Sequence, residues 1–277
     1  MLSELFEHTP PTPGPPAEAS HTTLTPPKSW IDALGPYTGI HCERAGCGRL
    51  AVVSTRFPDP AQDADHDDAE RVFVDAGWTD LGAGDWAIAL LSPDGQAVAR
   101  ISPFDPAGRY TAELYFRAKH TLLVPRLYTH RRLTGGGDLM VMERLHPVDR
   151  SDAAGLHRLI REEDESVAEL SGILRAIHGR ALAELPWCGP IDENPSNVMR
   201  GSDGRLVLID PFYADGPALY AAAESDPDAL VARIPEDERR FMTEIPLEES
   251  GPWAAADRQT MRARLAAADA RRRLARR

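Results

Sequence analysis

From residue 77 onward, hydrophobic and polar positions alternate in short runs punctuated by glycine. Residues 81–91 read as strand, glycine turn and strand, Ser92-Pro93-Asp94-Gly95 as a hairpin turn, and residues 96–102 as a third strand. Asp105-Pro106 then offers a cap and a first-turn proline for a helix running to about residue 120. After the Gly135-Gly136-Gly137-Asp138 turn, residues 139–143 form a short apolar strand. The period then changes. Residues 151–160 and 166–183 read as helices, and in the second Val167, Leu170, Ile173, Leu174 and Ile177 recur at the three-to-four spacing of a buried face. Residues 206–209 are a fully apolar strand closed by Asp210. Beyond it the pattern weakens until an Ala/Arg-rich helix from about residue 254.

The first 77 residues have a different texture. Residues 1–29, with Pro10, Pro11, Pro13, Pro15 and Pro16 close together, lack apolar periodicity and read as an extended or disordered tail. Residues 30–77 form a small cysteine-containing segment with a polar stretch at 58–70. Within it, His41, Cys42 and Cys47 have the look of half a zinc ribbon. A structural zinc site takes four N or S ligands and no second pair follows, so two free cysteines are the expectation and zinc the alternative. Asp63, Asp65 and Asp67 have the alternate-residue spacing of a calcium loop. Its sixth position is Asp68 rather than Gly and its twelfth Val74 rather than Glu, which leaves a solvated acidic loop as the expectation.

Length and charge narrow the function. A chain of 277 residues holds one two-lobed domain or two small ones. The formal charge of -12 argues against general binding to a phosphate backbone. No apolar run approaches the ~18–20 residues that span a bilayer, no signal peptide is readable, and the three cysteines make no disulfide framework. A cytoplasmic location is the expectation. Arg258, Arg262, Arg264, Arg271, Arg272, Arg273, Arg276 and Arg277 face only Asp257 and Asp269 within the last segment. A solvated helix, or one folded back on the acidic body, is expected there; contact with nucleic acid or an acidic partner is the alternative.

Three positions carry the chemistry. Asp192 precedes Asn197 by five residues, and Asp210 follows thirteen further on, capping the apolar strand. A carboxylate that accepts the proton of an attacking hydroxyl, with an amide and a second carboxylate that hold magnesium, is what phosphoryl transfer requires. This order and spacing, with Pro195 two places before the asparagine, resemble the catalytic loop and metal-binding turn of the protein kinase-like superfamily. The resemblance spans roughly residues 78–213.

The resemblance implies an α+β, two-lobed protein kinase-like fold: a small antiparallel β N-lobe with one helix (78–145) and a short helical C-lobe (146–277). It implies ATP and Mg2+ as cofactors, Asp192 as the catalytic acid-base residue, and Asn197 and Asp210 as metal ligands. Gly82, Gly84 and Ala87 match the glycine-rich turn over the nucleotide, whose amides approach phosphates without a side chain intervening. Arg100 stands where the family carries lysine and Glu113 where it carries the acidic partner on the following helix; Glu113 with Arg117 as a surface pair is the alternative. Glu143 and Leu145 fall at the hinge whose backbone meets adenine. Pro190 and Ile191 precede Asp192 where the family has a His-Arg or His-Gly pair, Pro211 and Phe212 follow Asp210 in place of Phe and Gly, and Asn194 replaces a cationic residue.

The function so implied is transfer of the γ-phosphate of ATP to a hydroxyl of a protein or of a small molecule, as in the similar aminoglycoside phosphotransferases. The alternative is an inactive pseudokinase serving as a binding or regulatory module. The expected partners are ATP and an unidentified hydroxyl acceptor, with neither membrane nor nucleic acid.

Overall fold

A computed structural model describes residues 57–84, 86–185, 187–244 and 254–276, all within one unit, 53–277. The readings of the proline-rich tail and of His41, Cys42 and Cys47 lie outside the described residues. The class is α+β, with two antiparallel sheets and seven α-helices among the described residues.

The first helix, α1 (His66–Asp75), occupies the stretch expected to be an acidic loop. Asp65 is its N-cap, accepting from the Asp68 amide at 3.0 Å, and Asp67 and Asp68 fill the first turn, where carboxylates suit the positive end of the helix. Ala69 and Phe73, four apart, turn inward. The alternating aspartates are therefore a helix start. Residues 57–77, set apart in the sequence reading, pack on the sheet: Phe73 and Ala69 share a core with Trp78, Leu90, Ile101, Leu139 and Val141.

Five strands, β1 (Thr79–Ala83), β2 (Ile88–Leu91), β3 (Ala97–Ser102), β4 (Leu127–Arg132) and β5 (Asp138–Glu143), form an antiparallel sheet in the order β1-β2-β3-β5-β4. The period of two distributes its side chains. Ala97, Ala99 and Ile101 of β3 face α1, which leaves Val98, Arg100 and Ser102 on the opposite face. All six residues of β5 are buried. Leu139 and Val141 join the α1 side, and Met140 and Met142 join a second core with α2 (Gly108–Ala118). A strand covered on both faces reads as an apolar run rather than an alternation.

Helix α2 begins at Gly108, later than expected, because the Asp105 carboxylate is spent on the Ala107 amide (3.0 Å) and on Arg100. Gly108 lies against the buried Asp138 carboxylate, where a Cβ would come within 2.5 Å of it. α3 (Arg150–Glu162) and α4 (Ala168–Glu184) follow β6 (Leu145–Pro147), which pairs with β7 (Val198–Gly201) and β8 (Leu206–Leu208) in a small antiparallel sheet. Leu170, Leu174, Ile177 and Ala181 of α4 are fully buried in the core shared with Tyr110, Leu114 and Tyr115 of α2. Burying each such leucine or isoleucine contributes about 1.5–3 kcal/mol.

Beyond Asp210 lie α5 (Gly216–Ser225) and α6 (Pro227–Arg233), which the sequence reading passed over. Their signals were present. Asp215 and Asp226 cap them, each followed by a proline in the first turn. α7 (Ala255–Ala275) packs Met261, Leu265 and Ala268 into the core of α5 and α6. Its arginines meet acids of the same chain: Arg271 pairs with Asp228, Arg273 with Glu236, Arg262 with Glu244 and Arg264 with Glu224. This is the folded-back helix expected from the charge pattern. Among the described residues no helix is long and apolar enough to cross a membrane.

Candidate active site

Asp192, Asn197 and Asp210 meet. The Asn197 Nδ2 donates to Asp192 Oδ2 at 2.8 Å and to the Asp210 carbonyl at 3.3 Å. Main-chain bonds close the same assembly, from the Asp192 amide to the Pro211 carbonyl (3.0 Å) and from the Ile209 amide to the Asn197 carbonyl (2.7 Å). All three residues are half-buried, so their oxygens reach solvent while their frames are fixed.

Local sequence builds the loop. The Asp192 Oδ1 accepts from the Asn194 amide at 2.9 Å, an Asx turn. Pro195 opens a short 3-10 turn, and the Asn194 side chain caps it by accepting from the Ser196 amide and hydroxyl at 3.0 and 2.9 Å. Asn194, which stands where the resembled family carries a cationic residue, is occupied in shaping the loop. Buried His157 of α3 also meets the loop, contacting the Asn194 carbonyl through Nε2 at 3.2 Å.

The turn at Asp210 has φ +41°, in the left-handed region. For a residue other than glycine such a conformation costs about 1–3 kcal/mol and persists only when the surroundings enforce it. Here the enforcement comes from Tyr115 of α2, whose phenol oxygen accepts the Asp210 amide at 3.0 Å. Burial first, and then the charge of Asp210, push the Tyr115 phenol well above its usual value, so it stays protonated.

Arg100 reaches Asp210 from β3. Its Nε lies 3.2 Å from Asp210 Oδ2 and its Nη1 donates to Asp105 Oδ2 at 2.8 Å. Burial opposes its charge, but the carboxylates of Asp210, Asp105 and Asp138 outweigh burial and raise its pKa. Burial, together with the charge of Asp138, raises the Asp105 carboxyl against the lowering pull of Arg100. Asp138 beside them, fully buried, is bonded by His130 (2.9 Å) and Arg132 (3.1 Å). Its burial favours the neutral acid, yet His130, Arg132 and Arg100 hold the carboxyl below its ordinary range.

The other expected residues lie differently. Glu113 does not pair with Arg100; its carboxylate holds Arg180 of α4 and Arg117. Residues two apart on a helix point about 200° from each other. Because Tyr115 faces Asp210, Glu113 faces away. In the glycine turn, Gly82 has φ +138°, but its amide donates to Asp80 Oδ1 (2.9 Å), and the Gly84 amide closes the hairpin on the Ala87 carbonyl (2.8 Å). Glu143 is a structural joint: its carboxylate accepts the Arg126 amide at 2.7 Å and pairs with Arg205. The amides of Glu143 and Arg144 are bonded to Arg126 and Gln96 carbonyls, and Leu145 pairs with Gly201. Sequence reasoning missed Asp105 as an ion partner, Tyr115 and His157. Only Asp105 had a local signal, an acid five residues after Arg100.

No family model and no curated protein matches this chain. Among solved structures it is similar to the Mycobacterium tuberculosis PknI kinase domain, at 16% identity over 70% of this chain and 96% of that one, with a TM-score of 0.27. It is also similar to WbdD, solved with the kinase inhibitor LY294002, at 19% identity over 66% of this chain, with a TM-score of 0.24; there it spans 44% of the other chain's length. At these scores the functional reading rests on the site itself.

Proposed function

We propose that the chain is a phosphotransferase of kinase-like fold that transfers a phosphoryl group from Mg·ATP to a hydroxyl. The observation that carries this reading is the Asn197 amide, bonded at once to the Asp192 carboxylate and to the Asp210 carbonyl. With its nitrogen so used, Asn197 would hold a cation through its amide oxygen, together with the Asp210 carboxylate, whose Oδ2 also pairs with Arg100. These are hard oxygen donors of the kind magnesium takes, one amide and one carboxylate. Bound magnesium supplies neutralisation of charge on the phosphates. Asp192, half-buried and fixed through both oxygens, keeps lone pairs to orient and deprotonate the acceptor hydroxyl. Arg100 places a fixed positive charge beside Asp210, where phosphate oxygens arrive, and this charge adds electrostatic stabilisation at no reorganisation cost.

The pseudokinase reading is favoured by a different observation. The Gly82 amide is already taken by the Asp80 carboxylate, so a phosphate would have to displace an anion from it. Titration calorimetry with Mg·ATP and a radiolabelled transfer assay separate the two. The phosphotransferase reading expects binding with turnover, turnover falling by about 10²-fold or more in Asp192→Asn while binding persists. Binding without turnover in the wild type selects the pseudokinase. No binding in the wild type refutes the phosphotransferase reading.

A further inference from the structure

The geometry points to Asp105, rather than Glu113, as the residue that positions Arg100 for the nucleotide phosphates; this rests on the phosphotransferase reading above. Arg100 leaves the sheet on the face opposite α1 and its guanidinium is largely enclosed, with 15% side-chain exposure. Asp105, at 8%, takes its Nη1 at 2.8 Å, while Asp210 takes its Nε at 3.2 Å. Nη2 takes part in neither the hydrogen bond to Asp105 nor the ion pair with Asp210, and it is the nitrogen left to meet an incoming anion.

Asp105 is itself fixed from every side. Its amide donates to the Gly136 carbonyl at 3.0 Å, its carbonyl accepts Arg132 Nη1 at 2.6 Å, and its second carboxylate oxygen accepts the Ala107 amide at 3.0 Å. A carboxylate held by the main chain of its own loop, five residues from its partner, has little freedom to swing away. Glu113 is on the far side of α2 and belongs to a half-exposed cluster with Arg117 and Arg180. The cation is set by the sheet and the β3–α2 connection, where Asp105 also accepts the amides of Ala107 (3.0 Å) and Gly108 (3.3 Å) at the start of α2, and the body of α2 reaches Asp210 through Tyr115.

The test compares Mg·ATP affinity and KM in the full chain for wild type, Asp105→Asn, Glu113→Gln and Arg100→Met. Asp105→Asn should raise KM for ATP by about tenfold or more, as expected for losing a bond between charged groups, with a smaller effect on kcat. Glu113→Gln should stay within about twofold, since exposed ion pairs contribute little. In an Arg100→Met background the Asp105→Asn effect should vanish, a non-additivity that a purely structural role would not give. A Glu113→Gln effect as large as that of Asp105→Asn, or an Asp105→Asn effect that survives without Arg100, overturns the inference and leaves the phosphotransferase reading standing. Wild type that fails to bind Mg·ATP overturns both. If Asp105→Asn does not fold, Glu113→Gln decides alone: a tenfold rise in KM overturns the assignment, and an unchanged KM supports it.

Discussion

Replacing Tyr115 by phenylalanine removes one oxygen from the interior and nothing else. The ring, on α2, is 1% exposed and lies in the core that α2 shares with α4, so no side chain needs to move. The lost atom is the acceptor of the Asp210 amide, bonded at 3.0 Å. An enclosed amide left without a partner costs about 1–3 kcal/mol. Asp210 is half-buried, so water can reach the amide in part, which places the expected loss near the lower half of that range, about 1–2 kcal/mol. The same bond enforces the left-handed conformation of Asp210, so relaxation of the turn should also weaken Mg·ATP binding through the Asp210 carboxylate. Urea unfolding measures the first effect and calorimetric titration the second. Tyr110→Phe is the control: its hydroxyl lies between half-exposed Arg109 and Glu184, where water replaces the lost contacts, and the change should be about 0.5 kcal/mol or less. A Tyr115→Phe protein that matches the wild type within about 0.3 kcal/mol and binds Mg·ATP equally well would refute the assigned role.

Two further outcomes test the framework around the site. Arg239, 5% exposed, bonds both carboxylate oxygens of Asp269 on α7 and the Ile234 carbonyl. Asp269→Ala strands its charge and should cost about 3–5 kcal/mol in urea unfolding, whereas an Arg239→Met, Asp269→Leu pair should recover most of it. Asp138 is held below the ordinary aspartate range in the folded state, so its ionisation stabilises the fold above about pH 4 and the contribution is lost as pH falls through the folded value. Asp138→Asn should therefore lower the urea midpoint at pH 7 and make the acid-side decline shallower; an unchanged acid profile would count against this cluster as a source of stability.

How far the elements were readable depended on how local their signals were. The β3 and β5 strands and the α4 helix follow from period alone, since one face or both faces of each meet a core. At α1 the alternating aspartates fail the calcium pattern and suggest a solvated loop, although an acid before Ala69 and Phe73 is also how a helix begins. α5 and α6 carried capping aspartates and first-turn prolines that went unused. β4 gave little warning, since its residues are mostly half-buried and rich in His and Arg that pair with Asp138 of the next strand and with Asp59.

The site divides along the same line. The amino-acid order alone determined that Asp192 and Asn197 share one short loop and that Asp210 closes an apolar strand, because these relations span a few residues and follow from Asx, proline and strand chemistry. Which groups hold them was decided by packing. Arg100 is claimed by Asp105 because the Arg132 and Gly136 contacts fix that loop, Asp210 is held by Tyr115 because α2 presents that face, and Glu113 is turned away by the same helical rotation. A helix or strand pattern states which residues share a face. Only the docking of one element on another states what that face meets, since the partners lie far apart along the chain and are selected by the sum of all the buried contacts.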